Sequence, residues 1–493
     1  MGIIRKQTIK SSVFQYLGIL VGFATILIQP HALQDSGRVG LILILTNYSL
    51  LFSQIATLGF HGTARYFPYF RNTEKKHHGY LFLFCLVVTL GGILCSIAAY
   101  IFKDEIINQK AQQSTLFADY FWYLIPLSWA VIFFSVFAIY TRMLYDATTS
   151  IFLNEFVKRL LILFTLLLIY TGIIGFDLFM PLWLLAGILP TIIIIWKVKK
   201  DNQLFLQPDF KFLDKPLIKK LADISLLGIL TGSSPLLVQN IDTYFINKNF
   251  GLSTNGIYNT LFNFALVINV PSKALYNIAF SFVTEAWKNN DLQTISGLYR
   301  KSSINQMLSA LFIFILIWAN IDNVFHLFPP EYASAKNVFL AIAIGYIIDS
   351  SMGINAIVLG TSKYYKVESF FFLFLAVITI VLNILLIPKF GMVGAGIAYA
   401  LSMLIINVFR YFFLLIRYKM QPISYKSALI VGLTAVVYFL SEIAIPKQNN
   451  FILDTIIRSS FVTAVFVPAI YFLKISEDIN LLIDEYLIKL KLK

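Results

Sequence analysis

Apolar windows of about twenty residues recur along this chain with short polar breaks between them, and no other feature limits its possible folds so tightly. A helix needs roughly 20 such residues to cross the hydrocarbon core of a bilayer. Fourteen windows can be counted, at 12–33, 39–67, 80–102, 117–141, 151–175, 178–196, 221–247, 254–284, 303–326, 335–359, 368–387, 391–416, 426–445 and 453–473. With 58% of residues hydrophobic and 13% charged, and a mean hydropathy of +0.77, lipid must be the solvent for most of these side chains. The expected fold class is an all-α polytopic membrane protein of about 14 transmembrane helices.

A net charge of +14 suggests nucleic acid until the positions of the charges are considered. If alternate loops face opposite sides, one side receives 30 of the 39 Lys and Arg residues and the other 7, with only Lys273 and Arg458 left unassigned. The excess of basic residues in cytoplasmic loops then puts both termini in the cytoplasm. One missed or invented helix would scramble this alternation, so the split supports the count of fourteen. Cys85 and Cys95 share one expected helix about 15 Å apart, too far to pair. The start, MGIIRKQTIK before an apolar run, has no small-residue cleavage site after it and reads as a retained first helix.

The longest hydrophilic break, 197–220, carries seven basic residues and two prolines. It divides the chain into an N-terminal six-helix lobe at 1–198, a basic cytoplasmic linker at 199–220 and a C-terminal six-helix lobe at 221–417. Two additional helices follow at 418–474, and an amphipathic cytoplasmic tail at 475–493. GLILILTNYSLLFSQ from Gly40 and GIYNTLFNFALVINV from Gly256 share glycine entry, hydropathy and an asparagine, Asn47 against Asn263, at an offset of 216. Six spans, a basic linker and six spans of matching polarity describe a parallel repeat. In the tail, apolar residues at helical spacing and the Glu485–Lys489 pair suggest a helix lying on the cytoplasmic membrane surface.

Catalytic motifs are scarce. No P-loop, GxGxxG, HExxH or Cys/His cluster of metal-ligand spacing is present, and the non-cytoplasmic loops are too short to hold an extramembrane catalytic domain. No cofactor is expected, and no enzymatic activity. Ionisable groups at lipid depth are the informative ones, because each costs roughly 2.5–3.5 kcal/mol on insertion scales. They are Asp242 in the seventh span, Lys273 in the eighth and Asp349 in the tenth, with Arg65, Arg142, Glu155, Lys158, Arg159 and Glu285 nearer the cytoplasmic ends. Around them lie Gln239, Asn240, Asn259, Asn263, Asn269 and Asn277. On one continuous helix Asn259, Asn263, Lys273 and Asn277 share roughly one face. Lys273 has three readings: lining a cavity, snorkelling to the interface, or pairing with Asp242 or Asp349. Asp242 and Asp349 are candidates for coupling to a proton or sodium ion, though Asp242, only about five residues from its extracytoplasmic end, also reads as an interfacial cap or pair. Glu155 with Lys158 and Arg159 reads as a salt-bridged helix start. Pro271 would kink its helix beside a buried cation, which a moving gate could use.

Three stretches carry a family resemblance: IDTYFINKNFGLSTNGIYN at 241–259, FPPEYASAKNVFLAIAIG at 328–345 and NILLIPKFGMVGAGIAYALS at 383–402. They resemble Wzx-like polysaccharide and O-antigen flippases of the MOP superfamily, relatives of MurJ-type flippases and MATE transporters. Asn383, Pro388, Gly391, Gly394, Ala395 and Gly396 are the most specific positions. The resemblance implies two six-helix lobes around a central cavity that opens alternately to each side of the bacterial inner membrane. It implies a lipid-linked oligosaccharide of the undecaprenyl-diphosphate type as substrate, for O-antigen, capsule or exopolysaccharide synthesis, with a polysaccharide polymerase and glycosyltransferases as partners. Basic cavity residues would hold the diphosphate, so Lys273, Asn263, Asn277, Asn259, Arg65 and Arg142 become the substrate-binding candidates, and Asp242 and Asp349 the ion-coupling ones. The first span departs from a cationic cavity, since it contains no lysine or arginine. It also lacks the acidic residue usual in MATE-like multidrug antiporters, the main alternative. A membrane-embedded glycan-modifying enzyme would need a catalytic loop that these loop lengths do not supply.

Overall fold

A computed structural model describes residues 2–107, 115–146 and 148–489. Among them no strand occurs, and the longer helices are α1 (Gly2–Leu33), α2 (Ser36–Ala56), α3 (Tyr80–Ile101), α4 (Leu124–Met143), α5 (Lys158–Tyr170), α6 (Phe176–Lys200) and α7 (Lys215–Ala265). They continue as α8 (Val270–Lys288), α9 (Leu292–Trp318), α10 (Lys336–Ser351), α11 (Tyr365–Tyr418), α12 (Tyr425–Ala444), α13 (Phe451–Phe472) and α14 (Glu477–Lys489). Ten of the described helices are long and apolar enough to cross a membrane, and the chain is an all-α, multi-pass membrane protein.

Two of these helices fold back on themselves. A straight helix would hold Thr379 and Ser402 about 35 Å apart at 1.5 Å per residue, yet the Thr379 hydroxyl donates to Ser402 Oγ at 3.0 Å. The reversal in α11 is at Gly391, with φ 58° and ψ −141°. In α7 the reversal is at Gly251, with φ 81° and ψ −176°. Both backbones enter a region that a residue with a Cβ reaches only under strain.

The chain divides into two compact units, Met1–Thr260 and Leu261–Lys493. In the first unit, the basic stretch read as a lobe boundary is laid along neighbouring loops. Tyr140 donates to the Gln203 carbonyl at 2.9 Å, His77 Nε2 meets Gln203 Oε1 at 3.0 Å, and His78 Nδ1 meets Asp209 Oδ2 at 2.9 Å. Phe212 stacks on His78 with ring centroids 3.9 Å apart. The His78 bond holds the Asp209 carboxyl below the ordinary carboxylate range.

In the second unit, Arg458, which fitted neither side of the membrane by charge alternation, is buried at the end of the α12–α13 hairpin. It donates to Glu442 Oε1 at 3.0 Å, to Asp454 Oδ2 at 3.4 Å and to the carbonyls of Ser441 and Ile445, each at 3.2 Å. Asn323, in the segment after α9, donates to the same Asp454 at 2.6 Å. The tail α14 is tied down as well: Asn305 of α9 donates to Asp478 at 2.7 Å, and Tyr471 of α13 donates to Asp484 at 2.6 Å.

Candidate functional site

Two polar networks, one in each unit, contain the sequence-selected aspartates Asp242 and Asp349. The first is built on the α7 hairpin. Because Gly251 reverses the chain, residues sixteen apart in sequence become neighbours: Tyr258 donates to Asp242 Oδ2 at 2.8 Å, and Thr243 donates to Asn259 Oδ1 at 3.0 Å. Asn259 donates in turn to Asn255 Oδ1 at 2.7 Å. Asn47 of α2 completes the set, reaching Thr243 Oγ1 at 3.3 Å and Asn259 Oδ1 at 3.4 Å. Asp242, Thr243, Asn255 and Asn259 are all buried. These mutual bonds offset the cost of burial, although Asn255 Nδ2 has no partner among the described residues.

Asn47 can reach the hairpin because glycine lines the crossing of α2 with the return arm of α7. A Cβ on Gly40 would lie 1.9 Å from the Leu252 carbonyl oxygen, and a Cβ on Gly256 would lie 2.2 Å from the Ser36 carbonyl oxygen. The contact is reciprocal. Ser36 and Leu252, like Gly40 and Gly256, differ by the repeat offset of 216, so each strand of the crossing uses the same two positions against the other. Ser36 and Ser253 hydroxyls hydrogen-bond beside it.

The second network sits where two helices are interrupted. Between α7 and α8 the chain runs through a 3-10 turn, Leu266–Asn269, one residue short of Pro271. Proline has no N–H to give and crowds the preceding turn. α10 ends at Ser351 and helix resumes at Asn355 after Gly353, whose φ is 57°. The interruptions are joined: Ser272 donates to Ser350 Oγ at 3.1 Å, Ser350 donates to Asn269 Oδ1 at 3.5 Å, and Tyr276 donates to the freed Gly353 carbonyl at 3.1 Å. Asp349 accepts from Asn407 Nδ2 at 3.1 Å, and Asn407 accepts from Asn355 at 2.7 Å. Arg410 makes a bidentate pair with Glu368 at 3.1 and 2.5 Å and lies within electrostatic reach of Asp349. Among these groups there are two carboxylates and one guanidinium.

The sequence-selected residues are therefore distributed unevenly. Asn259 and Asp242 belong to the first network and Asp349 to the second. Asn263 is half-buried. Lys273 is exposed on α8, whose neighbouring positions Ser272 and Tyr276 face the broken end of α10. Arg65 and Arg142 are exposed, Arg142 Nε donating to the Ala138 carbonyl one turn back at 3.1 Å. The side chains of Asn277 and Gln239 lie outside the described residues. A 3-10 turn, Leu266–Asn269, separates α8 from the arm of α7 that carries Asn263.

The Glu368–Arg410 pair was not legible in the sequence, where Glu368 reads as a loop-end acid and Arg410 as one more cytoplasmic cation, 42 residues apart. The hairpins did leave a signal. Phe250-Gly251 and Phe390-Gly391 are each followed, four residues on, by Gly-Ile, giving FG-x4-GI at both reversals. A cavity of about 310 Å³ at the end of α4 is lined by Arg71, His77, Tyr145, Asp146, Asp201 and Gln203 among others. None of the sequence-selected residues lines it.

No family model and no curated protein sequence matches the chain. Solved structures do. A structure described as the lipid II flippase MurJ in an inward closed conformation superposes with a TM-score of 0.69 at 13% identity, covering 94% of this chain and 98% of that one. An inward-facing multidrug resistance MATE family transporter of the MOP superfamily gives 0.65 at 13% identity, over 82% of this chain and 94% of that one. The Vibrio cholerae MATE transporter VcmN, as a D35N mutant, gives 0.56 at 12% identity, over 84% and 97%. At these identities the likeness is one of fold alone: this chain shares the all-helical fold of those structures.

Proposed function

We propose that the protein is a MOP-type flippase that moves a lipid-linked oligosaccharide, of the undecaprenyl-diphosphate type, from the cytoplasmic to the outer leaflet of a bacterial inner membrane. The observation that carries this reading is the extent of the structural match. The MurJ structure matches 94% of this chain, whereas MATE structures match 82–85% of it. This wider coverage supports the flippase reading. The sequence resemblance to Wzx-like proteins supplies the oligosaccharide, and with it O-antigen, capsule or exopolysaccharide synthesis, with polymerase and glycosyltransferases as partners.

In this reading fourteen spans with both termini inside form two lobes that alternate in access. Lys273, exposed beside an interrupted helix, meets the diphosphate as a point charge. Asn263, Asn277, Arg65 and Arg142 contribute polar contacts, and Asn259 holds the α7 hairpin in place behind them. Asp349 is the coupling carboxylate for a proton or sodium ion, with Asp242 second because Tyr258 already claims it. Pro271 provides the flexible point between α7 and α8.

Loss-of-function cells should accumulate lipid-linked oligosaccharide on the cytoplasmic leaflet. Lys273→Gln should reduce rescue about tenfold, Lys273→Arg should retain it, and Asp349→Asn should remove dependence on an ion gradient. ATP hydrolysis by the purified protein, or normal rescue by Lys273→Ala, Asp242→Asn and Asp349→Asn alike, would overturn the reading. The MATE-like antiporter remains the second reading because its fold match is nearly as good. It predicts unchanged glycans and altered drug sensitivity in the same cells.

A further inference from the structure

The first span has no cation of its own, but a neighbouring helix brings one to it. α5 is entered through a π-helical turn, Phe152–Val157, a widened geometry that recurs at functional sites. Against it lie Gly18 and Gly22 of α1, four residues apart and so on one face. A Cβ on Gly18 would fall 2.2 Å from the Glu155 carbonyl oxygen, and a Cβ on Gly22 would fall 2.7 Å from Arg159 Nη1. The two glycines hold open a window that the arginine occupies. Arg159 Nη1 donates to the Gly18 carbonyl at 2.8 Å, and Nη2 donates to Glu155 Oε2 at 2.7 Å.

Two features distinguish this arrangement from a closed structural pair. A guanidinium has five N–H donors, and the bonds to Gly18 and Glu155 engage two of them while 36% of the arginine side chain remains exposed. Lys158 adds a second cation on the same turn of α5, so Glu155, Lys158 and Arg159 together carry one net positive charge. The planar fork of arginine matches phosphate oxygens.

We propose that Arg159, with Lys158 beside it and Glu155 as resident counterion, binds the phosphate of a lipid head group at the seam between α1 and α5. The proposal rests on the flippase reading and gives the N-terminal unit an anion site of its own. The arriving phosphate competes with Glu155 for the guanidinium, while the Gly18 carbonyl keeps the arginine turned toward α1. Both a lipid-linked diphosphate and an anionic phospholipid present this chemistry.

The test is a binding titration of the purified full chain in zwitterionic detergent with a polyprenyl diphosphate, an anionic phospholipid and inorganic pyrophosphate, each variant's thermal midpoint being followed in parallel. Arg159→Gln should weaken binding of the preferred lipid about tenfold or more, the loss expected for charge-assisted hydrogen bonds. Gly22→Ala should weaken it by displacing the guanidinium. Glu155→Gln should strengthen it several-fold, because the competing carboxylate is gone. The lipid that shows this ranking identifies the source of the phosphate. Should both Arg159→Gln and Glu155→Gln lower the midpoint while leaving affinity unchanged, the pair is structural and the proposal is overturned. Pyrophosphate binding as tightly as either lipid would overturn the head-group assignment. A wild-type protein that binds no diphosphate lipid sinks the flippase reading itself, whereas one that binds it with indifference to Arg159 and Glu155 sinks only this site.

Discussion

Two of the arginine–carboxylate pairs, Arg410–Glu368 and Arg159–Glu155, are built in opposite ways. Arg410 and Glu368 come from the two arms of α11, have side chains only 5% and 6% exposed, and meet through two bonds. Arg159 and Glu155 share one stretch of helix, have side chains 36% and 30% exposed, and meet through one bond. The first joins residues that the Gly391 reversal brings together and has no room for a third party. The second ties a helix only to itself and leaves donors facing outward. The neighbouring glycines repeat the contrast: Gly40 and Gly256 press on backbone carbonyls, which cannot yield, whereas Gly22 faces the tip of a flexible side chain, which can.

Breaking the closed pair should give the largest effect. Arg410→Met or Glu368→Met alone leaves one buried charge uncompensated and should destabilise the fold by about 3–5 kcal/mol, while the double substitution should recover most of that loss. Unfolding in detergent would show it, and additive losses in the double variant would mean that the pair is not acting as a unit. Next come Gly40→Ala and Gly256→Ala, each expected to cost about 1–3 kcal/mol by forcing two helices apart. Because the crossing is reciprocal, the two should be nearly equal and their combination less than additive.

Asn259→Ala removes partners of Asn47, Thr243 and Asn255 at once and should cost about 1–3 kcal/mol, chiefly through the polar atoms left unsatisfied. Glu155→Gln, at the open pair, should change stability by less than about 1 kcal/mol. A value near that of Glu368→Met would erase the distinction between the pairs. The smallest effect belongs to Asp322, whose carboxyl is held down to about 2 by Lys447 and then Lys336. A depressed carboxylate contributes stability above its ordinary value of roughly 3.9 and loses it as pH falls toward the folded value. Asp322 is half exposed, so the contribution stays below about 1 kcal/mol. The thermal midpoint of Asp322→Asn should differ from that of wild type at pH 6 and converge with it near pH 2.

The membrane class was legible because hydropathy is local: each crossing helix announces itself within about twenty residues. The reversals at Gly251 and Gly391 were nearly legible, since glycine marks the one backbone state that other residues avoid. The second network was not. Asp349 stood out as a charge in an apolar run, but Asn407, Asn355 and Glu368 read as ordinary polar residues until folding places them beside it. Arg410 and Arg159 were both hidden by the same rule, because a cation near a cytoplasmic helix end satisfies the charge alternation whether it points to water or into the protein. Lys273 escaped that rule by lying deeper in its apolar run.

The glycine crossing of α2 and α7 carries one more consequence. A contact in which position i touches j and j touches i in return is the signature of a twofold homodimer, in which one patch must complement itself. Here Ser36 and Gly40 meet Leu252 and Gly256 in that manner within a single chain. The crossing is thus self-complementary within one chain, and each glycine faces a backbone carbonyl of the other helix that has no room to yield.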